Sequence, residues 1–186
     1  MGGAGSLSRA GRGVGQDVEI SDFFHGAFLN AVDAKGRVSL PATFRKTIDR
    51  RSRRSALPGE DDKIILVGEH EKYPCLQAFD PTFSRKLFEN LEKRANARDD
   101  VDPMEALDEV QDAFGVSSEV AYDAAGRMVL SPLLRFAAGI DDLAFFVGNG
   151  ETFQIWSPDR FREERADKPR LIRNLDFLIA ERGGRA

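Results

Sequence analysis

One short segment occurs twice in this sequence, and the duplication constrains the fold more than any other feature. The first copy begins with Asp33-Ala34-Lys35-Gly36-Arg37, and the second begins ninety residues later with Asp123-Ala124-Ala125-Gly126-Arg127. Positions 33–45 and 123–135 align without a gap and share six identical residues. A repeat of this kind indicates two structural units of the same type.

The residues that follow each motif also match. The apolar runs 64–68 and 143–148 both end in glycine, and each is followed by a second short run that ends at Pro81 or Pro158. Short apolar runs bounded by Gly and Pro are typical of β-strands. Because a unit of about fifty residues is only marginally stable alone, we expect the two copies to share one core.

Each motif is predicted to form the turn of a β-hairpin. An Asp side chain can accept backbone N–H bonds in an Asx turn, and Gly supplies the positive φ that a tight bend needs. We therefore assign the turn architecture to Asp33, Gly36, Asp123 and Gly126. A short helix is expected after each hairpin, since apolar residues recur there at helical spacing.

Amphipathic helices are predicted between the repeats and after them. Phe83, Leu87 and Leu91 recur at the spacing of one helix face, and similar stripes run through 103–114 and 170–182. The predicted division of the chain is a disordered N-terminal arm over 1–22, repeat 1 over 23–81, a helical connector over 82–116, repeat 2 over 117–160 and a C-terminal helical tail over 161–186.

The net charge of −4 conceals an uneven distribution along the chain. Residues 1–57 contain ten Lys or Arg and five Asp or Glu, whereas residues 58–186 contain seventeen and twenty-six. The part that includes the first motif is therefore basic. Charges act over roughly 8–10 Å at moderate ionic strength, so a local basic surface can attract a polyanion. An acidic total does not exclude binding to DNA.

The sequence contains few residues suited to catalysis or to metal binding. His25 and His70 are the only histidines, and no Ser-His-Asp set, carboxylate pair or metal-ligand spacing surrounds them. The single cysteine, Cys75, lies in an apolar strand pattern and is expected to be buried. We predict no catalytic residue, no cofactor, no metal site and no small-molecule substrate. A membrane role is not predicted, since no apolar run approaches the roughly 18 residues of a membrane span.

The arginine after each motif glycine is the candidate functional residue. A guanidinium on a tight loop presents five N–H donors, a geometry suited to phosphate or to the major-groove edge of guanine. The alternative interpretation of Arg37 is an ion pair with Asp33 that only stabilises the hairpin. The residues by themselves leave both interpretations open.

A run of four arginines has no counterpart in the second repeat. Arg50, Arg51, Arg53 and Arg54 are predicted to lie in a loop between the first helix and the strand that follows it. Such a loop could contact phosphates. A solvated charge run without a partner is the alternative.

Four further segments, around and between the two motifs, complete a recognisable pattern. They are Phe24-x-Gly26, the residues from Val38 to Arg45, Pro74-Cys75-Leu76 and Phe153-Gln154-Ile155-Trp156. Together with the doubled Asp-x-x-Gly-Arg motif, this pattern resembles the MraZ family of bacterial transcriptional regulators. The resemblance covers roughly residues 23–160.

The resemblance implies a fold, an assembly and a function. The expected fold is α+β, a pseudo-twofold swapped-hairpin β-barrel of two SpoVT-AbrB-like repeats with peripheral helices. Members of the family form rings of about eight to twelve subunits. These rings bind repeated promoter boxes and repress their own gene and the division and cell-wall gene cluster. The implied partners are double-stranded promoter DNA and other copies of the chain, and the implied location is the cytoplasm, in association with the nucleoid.

The resemblance also implies a DNA contact. The DNA-contact arginine of the family corresponds here to Arg37, and Arg127 matches it by repetition. Ala125 replaces Lys35 in the second motif, which makes Arg127 the weaker candidate. Our hypothesis places Lys35, Arg37 and Arg45 of several subunits on successive boxes at the same time.

A protein-binding role is the alternative from another class. The acidic part of the chain could bind a basic protein, as an oligomeric adaptor or antitoxin-like protein would. The amphipathic stripes over 83–91 and 103–114 would then form a partner surface instead of covering a barrel or joining subunits. An enzyme is the third possibility, and the residues provide no support for it.

Overall fold

The computed structural model describes residues 22–55, 63–96 and 103–183. The arm predicted over 1–22 lies outside these ranges except for its last residue, Asp22. The described elements, in chain order, are β1 (Ala27–Ala31), β2 (Arg37–Ser39), α1 (Ala42–Ser55), β3 (Ile64–Glu69), β4 (Leu76–Phe79), α2 (Pro81–Asn96), α3 (Pro103–Gly115), β5 (Ser117–Ala121), β6 (Arg127–Val129), α4 (Pro132–Ala138), β7 (Leu143–Asn149), β8 (Thr152–Trp156), α5 (Pro158–Glu164) and α6 (Pro169–Gly183).

Six of these strands form one antiparallel sheet in the order β1-β7-β8-β4-β3-β5. The outer strand of each repeat pairs with the other repeat, because Phe28 of β1 lies opposite Phe146 of β7 and Val120 of β5 lies opposite Ile65 of β3. If each strand is replaced by its counterpart in the other repeat, the order becomes β5-β3-β4-β8-β7-β1. This is the same order read from the opposite edge of the sheet. The sheet therefore has a pseudo-twofold axis between β4 and β8.

The remaining two strands, β2 and β6, form a separate two-stranded antiparallel ribbon. Val38 lies opposite Met128 at its centre, and both side chains are buried. Each end is tied to the other repeat, since the N–H of Leu40 donates to the oxygen of Gly126 (2.8 Å) and that of Leu130 to the oxygen of Gly36 (2.9 Å). The ribbon joins the two motif turns into one unit.

The α+β class is confirmed, and both predicted hairpin turns are present, with the N–H groups of Asp33 and Asp123 donating to the oxygens of Arg37 and Arg127 at 3.0 Å. The two arms that flank each turn belong to different sheets, and each arm is paired along its length with the other repeat. Burial explains the exchange, because pairing across repeats places both sets of apolar side chains in a common core. The described strands do not close into a barrel, since β1 and β5 lie at opposite edges of the sheet.

Both faces of the sheet are covered. Along β7, Ala144 and Phe146 face the core beneath the ribbon, whereas Phe145 and Val147 face the core beneath α5 and α6. Burial on both faces explains why this strand reads as a continuous apolar run. Cys75 belongs to the second core, and burial raises the pKa of its thiol to about 12. Its predicted burial is confirmed.

The arginine run lies in a helix, and the predicted loop is wrong. α1 continues without interruption from Ala42 to Ser55. Arg is a good helix former, and neither Gly nor Pro occurs within this span to end the helix. Among the helices that the structure describes, none has the length and apolar character needed to cross a bilayer.

Candidate nucleic-acid interface

The two motif turns have the same geometry. In the first, Oδ1 of Asp33 accepts the backbone N–H groups of Lys35 and Arg37, both at 2.9 Å. Gly36 has a φ of 77°, in the left-handed region that favours glycine. In the second turn, Asp123 accepts the equivalent pair of N–H groups at the same distances, and the φ of Gly126 is 84°. Each Asp thus fixes the backbone from which the next Arg projects.

Each motif arginine is paired with the aspartate of its own turn. Nε of Arg37 lies 2.5 Å from Oδ2 of Asp33, and Nε of Arg127 lies 2.7 Å from Oδ2 of Asp123. The backbone N–H of each Arg and then its side chain lower the pKa of the two carboxyl groups. The ion pair considered for Arg37 is therefore present.

The ion pair uses only part of each guanidinium. Within the described part of the chain, Nη1 and Nη2 of Arg37 and Arg127 form no hydrogen bond. The two side chains are 59% and 70% exposed. Because a guanidinium has five N–H donors, the ion pair through Nε leaves four donors on each arginine unused by the turn. Stabilising the turn and presenting a guanidinium are compatible in this geometry.

The two arginines lie on the same outer face of the ribbon. Arg37 is opposite Val129 and Arg127 is opposite Ser39, and all four residues are exposed. Residues diagonally placed on an antiparallel pair are roughly 7–8 Å apart, so both arginines lie within one compact surface. An open groove of about 630 Å³ runs between them. The residues that line it are Ala31, Asp33, Arg37, Val38, Ser39, Asp123, Arg127, Met128 and Val129.

The other two residues of the DNA-contact hypothesis lie in different environments. Lys35 is exposed at the tip of the first turn. Arg45 is half-buried under the second turn, where its Nη1 donates to the oxygen of Ala124 at 2.9 Å. Lys35 is therefore placed beside Arg37, whereas Arg45 contacts the backbone that precedes Arg127.

Arg51 of the arginine run lies inside the fold. Its side chain is 11% exposed and its Nη1 lies 2.5 Å from Oδ2 of the buried Asp80. The same guanidinium donates to the oxygens of Asp22 and Glu151 and lies over the ring of Phe24. A phosphate that approached Arg51 would have to displace these contacts.

The remaining arginines of the run lie nearer the surface. Nη2 of Arg50 donates to the hydroxyl of Thr47 at 3.2 Å, and Arg54 is paired with Asp22. Arg53 is exposed. The four arginines of the helix therefore differ in exposure and in partners.

Two residues of the ribbon face were missed from the sequence. Ser39 and Val129 occupy the same position in the two repeats and are exposed beside the arginines. Their alternation with the buried Val38 and Met128 is the period-2 signal of a strand with one buried face. Among the described residues, no group of His, Cys, Asp and Glu is arranged to hold a metal ion.

Comparison with known proteins identifies the family. A family model described as "MraZ protein, putative antitoxin-like" matches residues 113–168, which include the second turn and β5 to β8. A transcriptional regulator MraZ of Gluconacetobacter diazotrophicus is 34% identical over 152 residues, covering 82% of this chain and 89% of that protein. The chain belongs to the MraZ family.

Other MraZ proteins show the same extent of similarity. The transcriptional regulator MraZ of Rhodospirillum rubrum is 32% identical over 147 residues, 79% of this chain and 87% of its own length. That of Beijerinckia indica is 31% identical over 168 residues, 87% of this chain and 90% of its own. The similarity to MraZ thus extends over both repeats, beyond the segment that the family model matches.

Proposed function

We propose that this chain is a DNA-binding transcriptional regulator that recognises repeated promoter boxes as a ring. Its targets would be its own gene and the division and cell-wall gene cluster, which it represses. The observation that carries the proposal is the exposed β2–β6 ribbon, whose outer face presents two guanidiniums held by Asp33 and Asp123. The names of the MraZ relatives support a regulatory role.

The two-stranded architecture of the ribbon suits the major groove. That groove is about 12 Å wide and admits a two-stranded β-ribbon. An arginine that binds O6 and N7 of guanine through two N–H groups discriminates by about 1–3 kcal/mol. Because Arg37 and Arg127 lie on one ribbon, both would contact the same box, and Lys35 would contact a phosphate beside it.

The geometry suggests separate roles for the other basic residues. Arg45 would act as a positioning residue for the second turn, because it contacts the oxygen of Ala124. Arg53, which is exposed, is the most accessible candidate for a phosphate contact in the arginine run, with Arg50 and Arg54 beside it. The internal contacts of Arg51 favour a structural role.

Ring formation is supported by an apolar surface on α4. Leu133 is 68% exposed and Phe136 is 83% exposed, whereas Thr43 and Lys46 hold the equivalent positions of α1. The fold therefore does not need apolar residues at these places. Contact between copies would present several ribbons to successive boxes and raise the apparent affinity by about 10²–10⁴ where the spacings match.

The swapped-hairpin barrel and the five-part division of the chain belong to the same proposal. The ribbon would complete the barrel by packing its buried side chains, Val38 and Met128, against the sheet. No catalytic role is assigned to any residue. A DNA regulator of this kind would act in the cytoplasm at the nucleoid.

The proposal is tested by fluorescence anisotropy with DNA from immediately upstream of the gene, at two salt concentrations. We expect wild-type protein to prefer this DNA over scrambled DNA, and Arg37→Ala to lose most of that preference. Arg53→Ala, which removes an exposed arginine away from the ribbon, is the matched control for charge. It should weaken binding to both DNAs equally. Equal affinity of the wild type for both DNAs would contradict the proposal.

The second candidate function is that of an antitoxin-like adaptor. It is favoured by the description of the family model and by the exposed Leu133 and Phe136, which could bind another protein. Preference for promoter DNA distinguishes the two functions. A regulator should bind promoter DNA more tightly than scrambled DNA, whereas an oligomeric adaptor should show no such preference even where crosslinking reveals rings.

A further inference from the structure

The outer face of the ribbon differs between the two repeats at one position that can read a base. Ser39 and Val129 occupy equivalent places after the motif arginines, and each lies opposite the arginine of the other repeat. Val129 is 52% exposed although it is a β-branched apolar residue. It is the only large apolar side chain exposed on the described strands of the ribbon.

The fold does not require an apolar residue at position 129, since Ser39 holds the equivalent place in the first repeat. The buried side of β6 is occupied by Met128, which packs in the core beneath the ribbon. Val129 instead lines the groove between the two turns, together with Arg37 and Arg127. An apolar group opposite an arginine suits a target surface that has hydrogen-bond acceptors beside a hydrocarbon group.

The major-groove edge of DNA has this combination. Guanine presents O6 and N7 to arginine, and thymine presents its methyl group to apolar side chains. Directly opposed residues on an antiparallel pair have Cβ atoms about 4.5–5.5 Å apart, while bases on a strand are about 3.4 Å apart. Arg37 and Val129 can therefore reach neighbouring base pairs.

We propose that Val129 is a specificity-determining residue that contacts a thymine methyl group next to the guanine contacted by Arg37. The inference rests on the proposed DNA-binding function. At the equivalent place, opposite Arg127, the hydroxyl of Ser39 would form a hydrogen bond with a base or a phosphate.

This difference sets the direction in which the ribbon lies on its box. A ribbon with Arg and Ser in both repeats would be twofold symmetric and would bind a box equally in either orientation. Val129 removes that symmetry, because the two repeats then make different contacts with the bases. Lys35 and Ala125 also differ between the repeats, but a phosphate contact carries no direct sequence information. Each subunit of a ring is thus oriented along an asymmetric box.

The test replaces single thymines of the promoter DNA with deoxyuridine, which removes only the methyl group. Wild-type protein should lose about fourfold in affinity at one thymine of each box, the effect of one apolar carbon leaving contact. Val129→Ser, which introduces the residue of the first repeat, should bind the unmodified DNA about fourfold more weakly. The affinity of Val129→Ser should not change when the same thymine is replaced with deoxyuridine.

Ser39→Val is the matched variant for added apolar bulk on the ribbon. It should retain the loss at the original thymine, because Val129 is still present. Two results would overturn the inference but not the proposed function. In the first, the wild type prefers promoter DNA but its affinity is unchanged by deoxyuridine at every thymine. In the second, Val129→Ser loses as much affinity as the wild type when deoxyuridine is introduced. Equal binding of promoter and scrambled DNA by the wild type would overturn the proposed function as well. Circular dichroism of both variants verifies that the exposed substitutions leave the fold intact.

Discussion

Arg45 of the first repeat donates a hydrogen bond from Nη1 to the main-chain oxygen of Ala124 in the turn of the second repeat, at 2.9 Å. The two residues are 79 positions apart in the chain. The repeat counterpart, Arg135, instead donates to the oxygens of Ile140 and Asp141 near its own helix. Main-chain hydrogen bonds tie each turn to the other repeat, but the side-chain hydrogen bond from Arg45 reaches only the second turn.

Arg45→Gln is expected to disturb the second turn selectively. A hydrogen bond to a charged group contributes about 1.5–3 kcal/mol, so the free energy of unfolding should fall by this order. In NMR spectra the amide signals of Gly126 and Arg127 should shift more than those of Gly36 and Arg37. Lys46→Gln, on the exposed neighbouring position, is the control and should shift neither pair. Equal shifts in both turns would contradict this role.

Gly36→Ala is expected to destabilise the protein more than Gly150→Ala. Both glycines have positive φ, at 77° and 73°. A Cβ on Gly36 would lie 2.4 Å from the main-chain oxygen of Leu130, whereas a Cβ on Gly150 would meet nothing within 4 Å. The left-handed backbone alone costs about 1–2 kcal/mol, and the collision adds about 1–3 kcal/mol at Gly36. Urea unfolding of the two variants measures the difference, and equal losses would show that the ribbon yields without cost.

Arg51→Ala is expected to destabilise the fold without a specific effect on DNA recognition. Removal of one partner from a buried ion pair costs about 3–5 kcal/mol, and Asp80 would be left buried without its charge partner. Arg54→Ala, which breaks the pair between a more exposed guanidinium and Asp22, should cost less than this. Urea unfolding should therefore separate two neighbouring arginines. A similarly small loss of unfolding free energy in both variants would show that the pair between Arg51 and Asp80 does not stabilise the fold.

The apolar pair on α4 is expected to control assembly. Leu133→Thr combined with Phe136→Lys gives α4 the residues that α1 carries at the same positions. Both side chains are exposed, so the monomer should remain folded while the oligomer mass measured by light scattering falls. Thr43→Leu combined with Lys46→Phe is the converse control and should leave the wild-type contact intact. An unchanged mass in the α4 variant would exclude this surface as the contact.

Acidification is expected to release the motif turns only below about pH 4. The pKa of Asp33 is lowered first by the backbone N–H of Arg37 and then by its side chain. A carboxyl group whose pKa is lower in the folded state stabilises above its unfolded value, about 3.9, and loses the effect as pH falls through the folded value. The amide shifts of Lys35 and Arg37 should therefore be constant from pH 8 to 5.

Asp33→Asn provides the internal control for this titration. The first turn should lose its acid transition, while Asp123 retains its own in the second turn. DNA binding by the wild type should show no change linked to Asp33 or Asp123 between pH 5 and 8. A transition near pH 6 in the first turn would show that Asp33 is not stabilised in its charged form.

Local features of the fold were predictable because neighbouring residues determine them. Pro132 lies in the first turn of α4 and Gly139 ends that helix with a φ of 61°, as their conformational preferences require. The apolar runs became strands for similar reasons. The arginine run was misjudged because its charge suggested a loop, although its residues favour the helix that forms.

Sequence alone determined the duplication, the positions of the turns, the basic first repeat and the choice of Arg37 as the candidate contact. Only the tertiary structure decided that the ion pair with Asp33 uses Nε and leaves the outer nitrogens exposed. It also brought Arg37 opposite Val129, a residue of the other repeat. The reason is that both pairing within a hairpin and pairing across repeats satisfy the same local pattern. Burial of the shared core, which depends on the whole chain, selects the second.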